Sequence, residues 1–181
     1  EKMVINTGST IVHPYNDERI IAGQGTAAKE LLEKIPNLDI IITPVSGGGL
    51  LAGTLLTAKT INPKIKIYGA EPKNADDTYQ SIKNKKITPN KRTDTIADGL
   101  RAQVGTITFP IIQKYVDDII LVSEEMIIES MRIIWQRLKI IIEPSCSIVL
   151  GAILTDNKQF HNKRIGLILT GGNIDLDALP W

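Results

Sequence analysis

The residues with the most chemical potential are Val45-Ser46-Gly47-Gly48-Gly49-Leu50, three glycines in a row behind a serine. Glycine has no Cβ, so backbone N–H groups there can approach an anion closely. A helix starting at Leu50 would add the partial positive charge of its N-terminus. Phosphate is the natural guest. A tight turn would need one glycine, and three are better explained by an anion. The loop is not a Walker A motif, because Gly-Lys-Ser/Thr is missing, and its contiguous glycines do not follow the dinucleotide fingerprint.

Two further segments carry polar groups at places where a strand would end. Leu167-Ile168-Leu169-Thr170-Gly171-Gly172-Asn173 sets a hydroxyl before a glycine pair. Thr170 can donate to or accept from a ligand lying over a sheet, and it fits equally well as a loop cap. In Ala70-Glu71-Pro72-Lys73-Asn74-Ala75-Asp76-Asp77, the acids Glu71 and Asp77 stand six positions apart across a turn. Two carboxylates with backbone carbonyls suit a hard cation such as Mg²⁺ or Ca²⁺. The same acids also suit the start of a helix capped by Asn74, and the residues by themselves favour that.

The elements that must position these groups alternate along the chain. A helix is expected to open at Gly23-Gln24-Gly25-Thr26, with Thr26 as its cap and Ala27, Ala28, Leu31, Leu32 and Ile35 at helical spacing. Asp39 to Thr43 reads as a buried parallel strand. Leu50–Ile61 reads as a helix, Ile65–Ala70 as a strand and Asn74–Lys83 as a short helix. Asp118–Val122 is a strand, a long helix starts at Ser123, Ser145–Thr155 is a small-residue helix, and Lys163–Thr170 is a last strand. Thr10 to His13 is a short apolar segment closed by Pro14, with His13 at a strand end. This order predicts an α/β fold: an open, mostly parallel twisted sheet with helices on both faces, joined by right-handed crossovers. Ligands of such sheets bind beyond the C-terminal ends of the strands, where all three segments fall.

Composition narrows the function classes. The 181 residues are 43% hydrophobic, 4% aromatic and 23% charged, which suits an aliphatic α/β core. Lys+Arg 21 against Asp+Glu 20 leaves a net charge of +1, without the basic surplus of a nucleic-acid binder. Five Lys or Arg between Lys83 and Arg92 read as a solvated loop. From Ile40 to Ala58 there are 19 residues without a charge, yet Pro44 and the glycine run break any spanning helix, so no membrane span is expected. One cysteine, Cys146, makes no internal disulfide, and the chain reads as intracellular and cytoplasmic. His13, His161 and Cys146 lack metal-ligand spacing; Cys146 reads as a small packed residue.

Taken together, the motifs resemble fold-type-II pyridoxal-phosphate enzymes, the group of serine racemase and the serine/threonine dehydratases. The resemblance rests on His13-Pro14-Tyr15, Ile21-Ala22-Gly23-Gln24-Gly25-Thr26, Ser46 to Leu50, Ala70 to Asp77, Thr95-Ile96-Ala97-Asp98-Gly99, Ile142-Glu143-Pro144 and Thr170 to Leu176, all in order. It implies the tryptophan-synthase-β-like large domain. It implies that Ser46, Gly47, Gly48, Gly49 and Leu50 hold the phosphate of pyridoxal 5′-phosphate, with Glu143 near the ring and Thr170 beside the pyridine nitrogen. It implies that Glu71, the Ala75 carbonyl and Asp77 bind Mg²⁺ or Ca²⁺, against the capping role favoured above. It also implies an activating ATP between subunits, met by Lys139 and Asn173, and a homodimer acting on serine, and on threonine in some relatives.

The family's cofactor-carrying lysine lies in a Ser-Phe-Lys-type motif, and no such motif occurs between residues 1 and 181. The expectation is therefore that the chain is the C-terminal part of the large domain, with that lysine and the small domain upstream. The expected activity of the intact enzyme is interconversion of L- and D-serine, with β-elimination to pyruvate and ammonia. The alternatives are a dehydratase without racemase activity, and an inactive fragment that acts by association.

Overall fold

A computed structural model describes residues 2–155 and 158–181. Helix α1 spans Lys2–Thr7 and α2 spans Glu18–Lys34; strand β1 is Ile40–Pro44, followed by α3, Gly49–Ile61. Strand β2 is Lys66–Pro72, then α4, Asp77–Asn84, and α5, Thr108–Tyr115. Strand β3 is Asp118–Val122, followed by α6, Glu124–Leu138, α7, Pro144–Thr155, and β4, Ile165–Leu167.

The four strands form one parallel sheet in the order β3-β2-β1-β4, with Ile42 opposite Tyr68 on one side and Leu167 on the other. Successive side chains point to opposite faces, and both faces are covered, which is why the strands are almost continuously apolar. Ile41, Val45 and Ile67 pack with Leu51 and Leu55 of α3, Leu32 of α2 and Ile112 of α5. Ile40, Ile42 and Tyr68 pack with Ile148 and Val149 of α7 and Ile127 of α6. The chain leaves β1 toward β2, and returns much later to pair β4 on β1's other side. That reversal is the switch point where a crevice opens in this architecture. No helix among the described residues is long and apolar enough to cross a membrane.

Several boundaries differ from expectation. Helix α2 begins eight residues before Thr26, with Asp17 as its N-cap accepting from the Arg19 N–H at 2.9 Å; Thr26 lies in mid-helix, its hydroxyl donating to Gly23 O. Gly25 is there for close packing. A Cβ on it would lie 2.4 Å from Thr57 Oγ1 and 2.9 Å from the Gly53 carbonyl, so α2 and α3 touch backbone to backbone. Residues 10–13 form no strand, and Ile11 and Val12 are exposed. Strand β4 is shorter than expected, its last bond to β1 being Ile168 N–H donating to Ile42 O. Helices α1 and α5 add to the expected elements. Pro110 sits in the first turn of α5, where a missing N–H costs nothing.

Candidate functional site

The loop after β1 and the loop after β4 face one another across a cavity of about 430 Å³. Its lining includes Ser46, Gly47, Gly48, Gly49, Leu50, Glu143 and Thr170, so all seven residues expected around the cofactor share one hollow. The size falls in the range of small-molecule sites.

The glycine loop is shaped by steric necessity. Gly48 holds φ at +89°, a conformation that favours glycine, and a Cβ there would lie 2.7 Å from Ile112 Cδ1 and 2.9 Å from Thr108 Oγ1. A Cβ on Gly47 would enter the Tyr15 ring at 2.3 Å. The loop is held from below by its carbonyl: Gly47 O accepts from Gly105 N–H at 3.1 Å and from the Thr108 hydroxyl at 2.7 Å. The Ser46 hydroxyl accepts from Ala102 N–H at 3.0 Å and donates to Ala102 O at 3.3 Å, so its side chain fastens the neighbouring loop. None of the N–H groups of residues 46–50 donates to a protein acceptor among the described residues. Five consecutive free donors at a helix start suit a phosphate, and in this respect the residues fit the cofactor.

Opposite, Glu143 is turned onto the second loop. Its Oε2 accepts from Asn173 N–H at 2.9 Å, and its backbone N–H donates to Gly171 O at 3.1 Å. Thr170 is exposed to the cavity, and its N–H donates to the buried Cys146 Sγ at 3.2 Å, so Cys146 packs beneath this wall as expected. Gly99 also lines the cavity, its N–H held by the Ser145 hydroxyl at 3.0 Å. Among the described residues no lysine lines the cavity.

The acid pair lies at the end of β2. Glu71 is on the strand itself and fully buried; its Oε1 accepts from Thr78 N–H and its Oε2 from Tyr79 N–H, both at 2.9 Å. Glu71 therefore serves the orphan donors of α4, in place of the expected Asn74. Asn74 instead bonds the Asp94 carbonyl and Arg92. Asp77 Oδ2 accepts from Val104 N–H at 2.7 Å, and its Oδ1 from Asn90 Nδ2 at 2.8 Å. Burial raises the Glu71 pKa to about 8, aided by the neighbouring Asp77 charge, and burial raises Asp77 to about 6. Neither acid has a cationic partner among the described residues, and the buried Ala75 carbonyl accepts no hydrogen bond there. This oxygen-only set, short of positive charge, fits a hard cation completed by water. No group of three or more His, Cys, Asp or Glu that could hold a metal occurs among the described residues, so no further acid completes it.

Lys139 and Asn173 line different hollows. Lys139 caps α6 and lines a hollow with Arg132, Trp135, Gln136 and Trp181, whereas Asn173 lines another with Asp98 and Asp175. Sequence reasoning missed Tyr15, Thr108 and the strap from Asp98 to Ile107 as parts of the site. Signals existed in two motifs of the resemblance, His13-Pro14-Tyr15 and Thr95 to Gly99; Thr108 gave none.

This is an α/β domain with a glycine loop of unpaired N–H groups at the switch point of a parallel sheet. The model of the pyridoxal-phosphate dependent enzyme family matches residues 1–171, and the chain belongs to that family. It is 51% identical to a serine racemase of Dictyostelium discoideum over 176 residues, 93% of this chain and 53% of that protein. It is 44% identical over 180 residues to a beta-hydroxyaspartate dehydratase of Paracoccus denitrificans, 99% of this chain and 57% of that protein. The structure of maize serine racemase superposes with a TM-score of 0.94 at 45% identity, covering 97% of this chain and 55% of that one. The chain thus spans about half the length of the curated relatives it matches, and its fold is that of a fold-type-II pyridoxal-phosphate enzyme domain.

Proposed function

We propose that the chain forms the cofactor-holding part of a homodimeric, cytoplasmic serine racemase that also eliminates water from serine to give pyruvate and ammonia. The observation that carries this reading is the row of free N–H groups from Ser46 to Leu50, facing Thr170 across one cavity. When bound, pyridoxal phosphate supplies an electron sink for charge developing at the substrate α-carbon. The glycine loop would hold its phosphate. The Thr170 hydroxyl would bond the ring nitrogen without the negative charge that would hold a proton there, which suits proton exchange and β-elimination over transamination. Glu143 would flank the ring, kept in place by Asn173 N–H. The lysine that carries the cofactor would come from sequence outside residues 1–181, in keeping with a cavity that no described lysine lines. Glu71, Ala75 and Asp77 would take Mg²⁺ or Ca²⁺. An ATP bound between subunits would meet Lys139 and Asn173, which line separate hollows within one chain.

A second reading, a dehydratase without racemisation, is favoured by the similarity to the Paracoccus enzyme. Both reactions begin with loss of the same α-proton, so product analysis separates them. L-Serine, pyridoxal phosphate and Mg²⁺ are incubated with residues 1–181, alone or joined to the upstream half of a relative. The joined polypeptide should form D-serine and pyruvate, and residues 1–181 alone neither. Pyruvate without D-serine selects the dehydratase. Turnover by residues 1–181 above the free-cofactor background refutes the placement of the lysine.

A further inference from the structure

The glycine loop is sandwiched between two segments that are distant in sequence. From above, Tyr15 lies on it so closely that a Cβ on Gly49 would be 3.0 Å from Tyr15 Cβ and 3.1 Å from its Cα. From below, Gly105 and Thr108 grip the Gly47 carbonyl. Neither segment belongs to β1 or α3, so the loop's shape depends on what joins them to each other.

One side chain does so. Asn16 Oδ1 accepts from Ile107 N–H at 2.7 Å, and its Nδ2 donates to Thr106 Oγ1 at 3.0 Å. Its own N–H donates to His13 Nδ1 at 3.0 Å, which folds residues 13–16 into a compact cap. The His13 ring also meets the Tyr15 ring edge to face, with centroids 4.6 Å apart. A Cβ on Gly105 would lie 2.3 Å from Asn16 Oδ1, so that glycine makes room for the amide. Asn16 does not line the cavity itself.

We infer that Asn16 is a positioning residue for the anion cradle, clasping the cap that carries Tyr15 to the 105–108 segment and so holding the glycine-loop N–H groups in a phosphate-binding arrangement. This rests on the proposed cofactor reading, in which those N–H groups receive a phosphate. A hydrogen-bonding side chain is used here because an amide offers an acceptor for Ile107 and a donor for Thr106 at once. Asp at this position keeps the acceptor, and the Thr106 hydroxyl can turn to donate to it.

The test compares wild type, Asn16→Ala and Asn16→Asp, each joined to the upstream half of a relative, for binding of inorganic phosphate, pyridoxal phosphate and pyridoxal, with amide exchange followed at Gly105. Asn16→Ala should weaken phosphate and pyridoxal phosphate about tenfold, the scale of one or two lost hydrogen bonds, and leave pyridoxal unchanged. Exchange at Gly105, whose N–H is shared between Gly47 O and Thr108 Oγ1 and does not bond Asn16, should accelerate. Asn16→Asp should restore most of both readouts. Wild-type binding by Asn16→Ala, equal weakening of pyridoxal, or failure of Asn16→Asp to rescue overturns the inference. If wild type binds none of the three ligands, the cofactor reading falls, while Gly105 exchange in the ligand-free proteins still decides whether the clasp holds the loop.

Discussion

The loop after β1 and the acid pair at the end of β2 sit at the same end of neighbouring strands, yet they are built on opposite terms. The first offers neutral N–H donors with no acceptor and no charged side chain among them. The second offers carboxylates that have donors but no countercharge. Backbone donors cost little to leave facing a solvent-open cavity, so the glycine loop can hold its shape with its donors unpaired, and its demands are steric. Buried carboxylates are costly while charged, so the acid site is electrostatically incomplete, and its demand is for positive charge. One segment touches both: Val104 N–H binds Asp77 and the next residue, Gly105, binds Gly47.

Breaking the steric site should have the largest effect. Gly48→Val forces a side chain into Ile112 and Thr108 at a positive φ. Retention of phosphate or pyridoxal phosphate should fall by at least about a hundredfold, with a stability loss of roughly 1–3 kcal/mol from overpacking and backbone strain. Equilibrium binding and thermal unfolding measure both, and unchanged cofactor binding would refute the cradle.

The electrostatic site should respond to pH and metal instead. Glu71 has its pKa raised from 4.5 to about 8, and Asp77 from 3.8 to about 6. In these intervals the folded chain holds protons that the unfolded chain has released. Without a cation, stability should therefore fall as pH rises from 4.5 to about 8, by about 1.4 kcal/mol per pH unit where one group dominates. Mg²⁺ should reverse much of that loss at the upper end. Melting curves across this range, with Mg²⁺ or a chelator, test it, and Asp77→Ala should abolish the metal response. A flat profile, or an equal chelator response in the mutant, would count against the site.

The smallest change sharpens the steric half. Gly23 lies in α2 with nothing within 4 Å of the position a Cβ would take, unlike Gly25 two residues on. Gly23→Ala should stabilise the fold by about 0.5–1 kcal/mol, whereas Gly25→Ala should destabilise it. Chemical denaturation of the pair checks whether close approach, and not glycine content, governs this part of the molecule.

Local pattern made much of this protein legible. The β-branched run at 40–43 followed by glycines specifies strand, loop and helix, because each depends on neighbouring residues; Asp118–Val122 matches β3 in full for the same reason. Six of the seven residues that share the cavity belong to motifs expected at strand ends, and a parallel α/β sheet gathers strand ends together; Glu143, just before α7, stood out only through the family resemblance. The N-terminus of α2 was misplaced because Gly23 and Gly25 look like helix breakers, and only contact with Gly53 shows why Gly25 is tolerated. Side-chain allegiance was not legible either. Ser46 spends its hydroxyl on Ala102, 56 residues away, Glu71 caps α4, and Asn16 ties down a segment 91 residues further along. A residue's type states which bonds it can make, and the sequence alone set that repertoire. Which partner receives each bond depends on distances between elements that packing brings together, and so the tertiary structure alone decided that Gly47, Tyr15, Asn16 and Thr108 form one device.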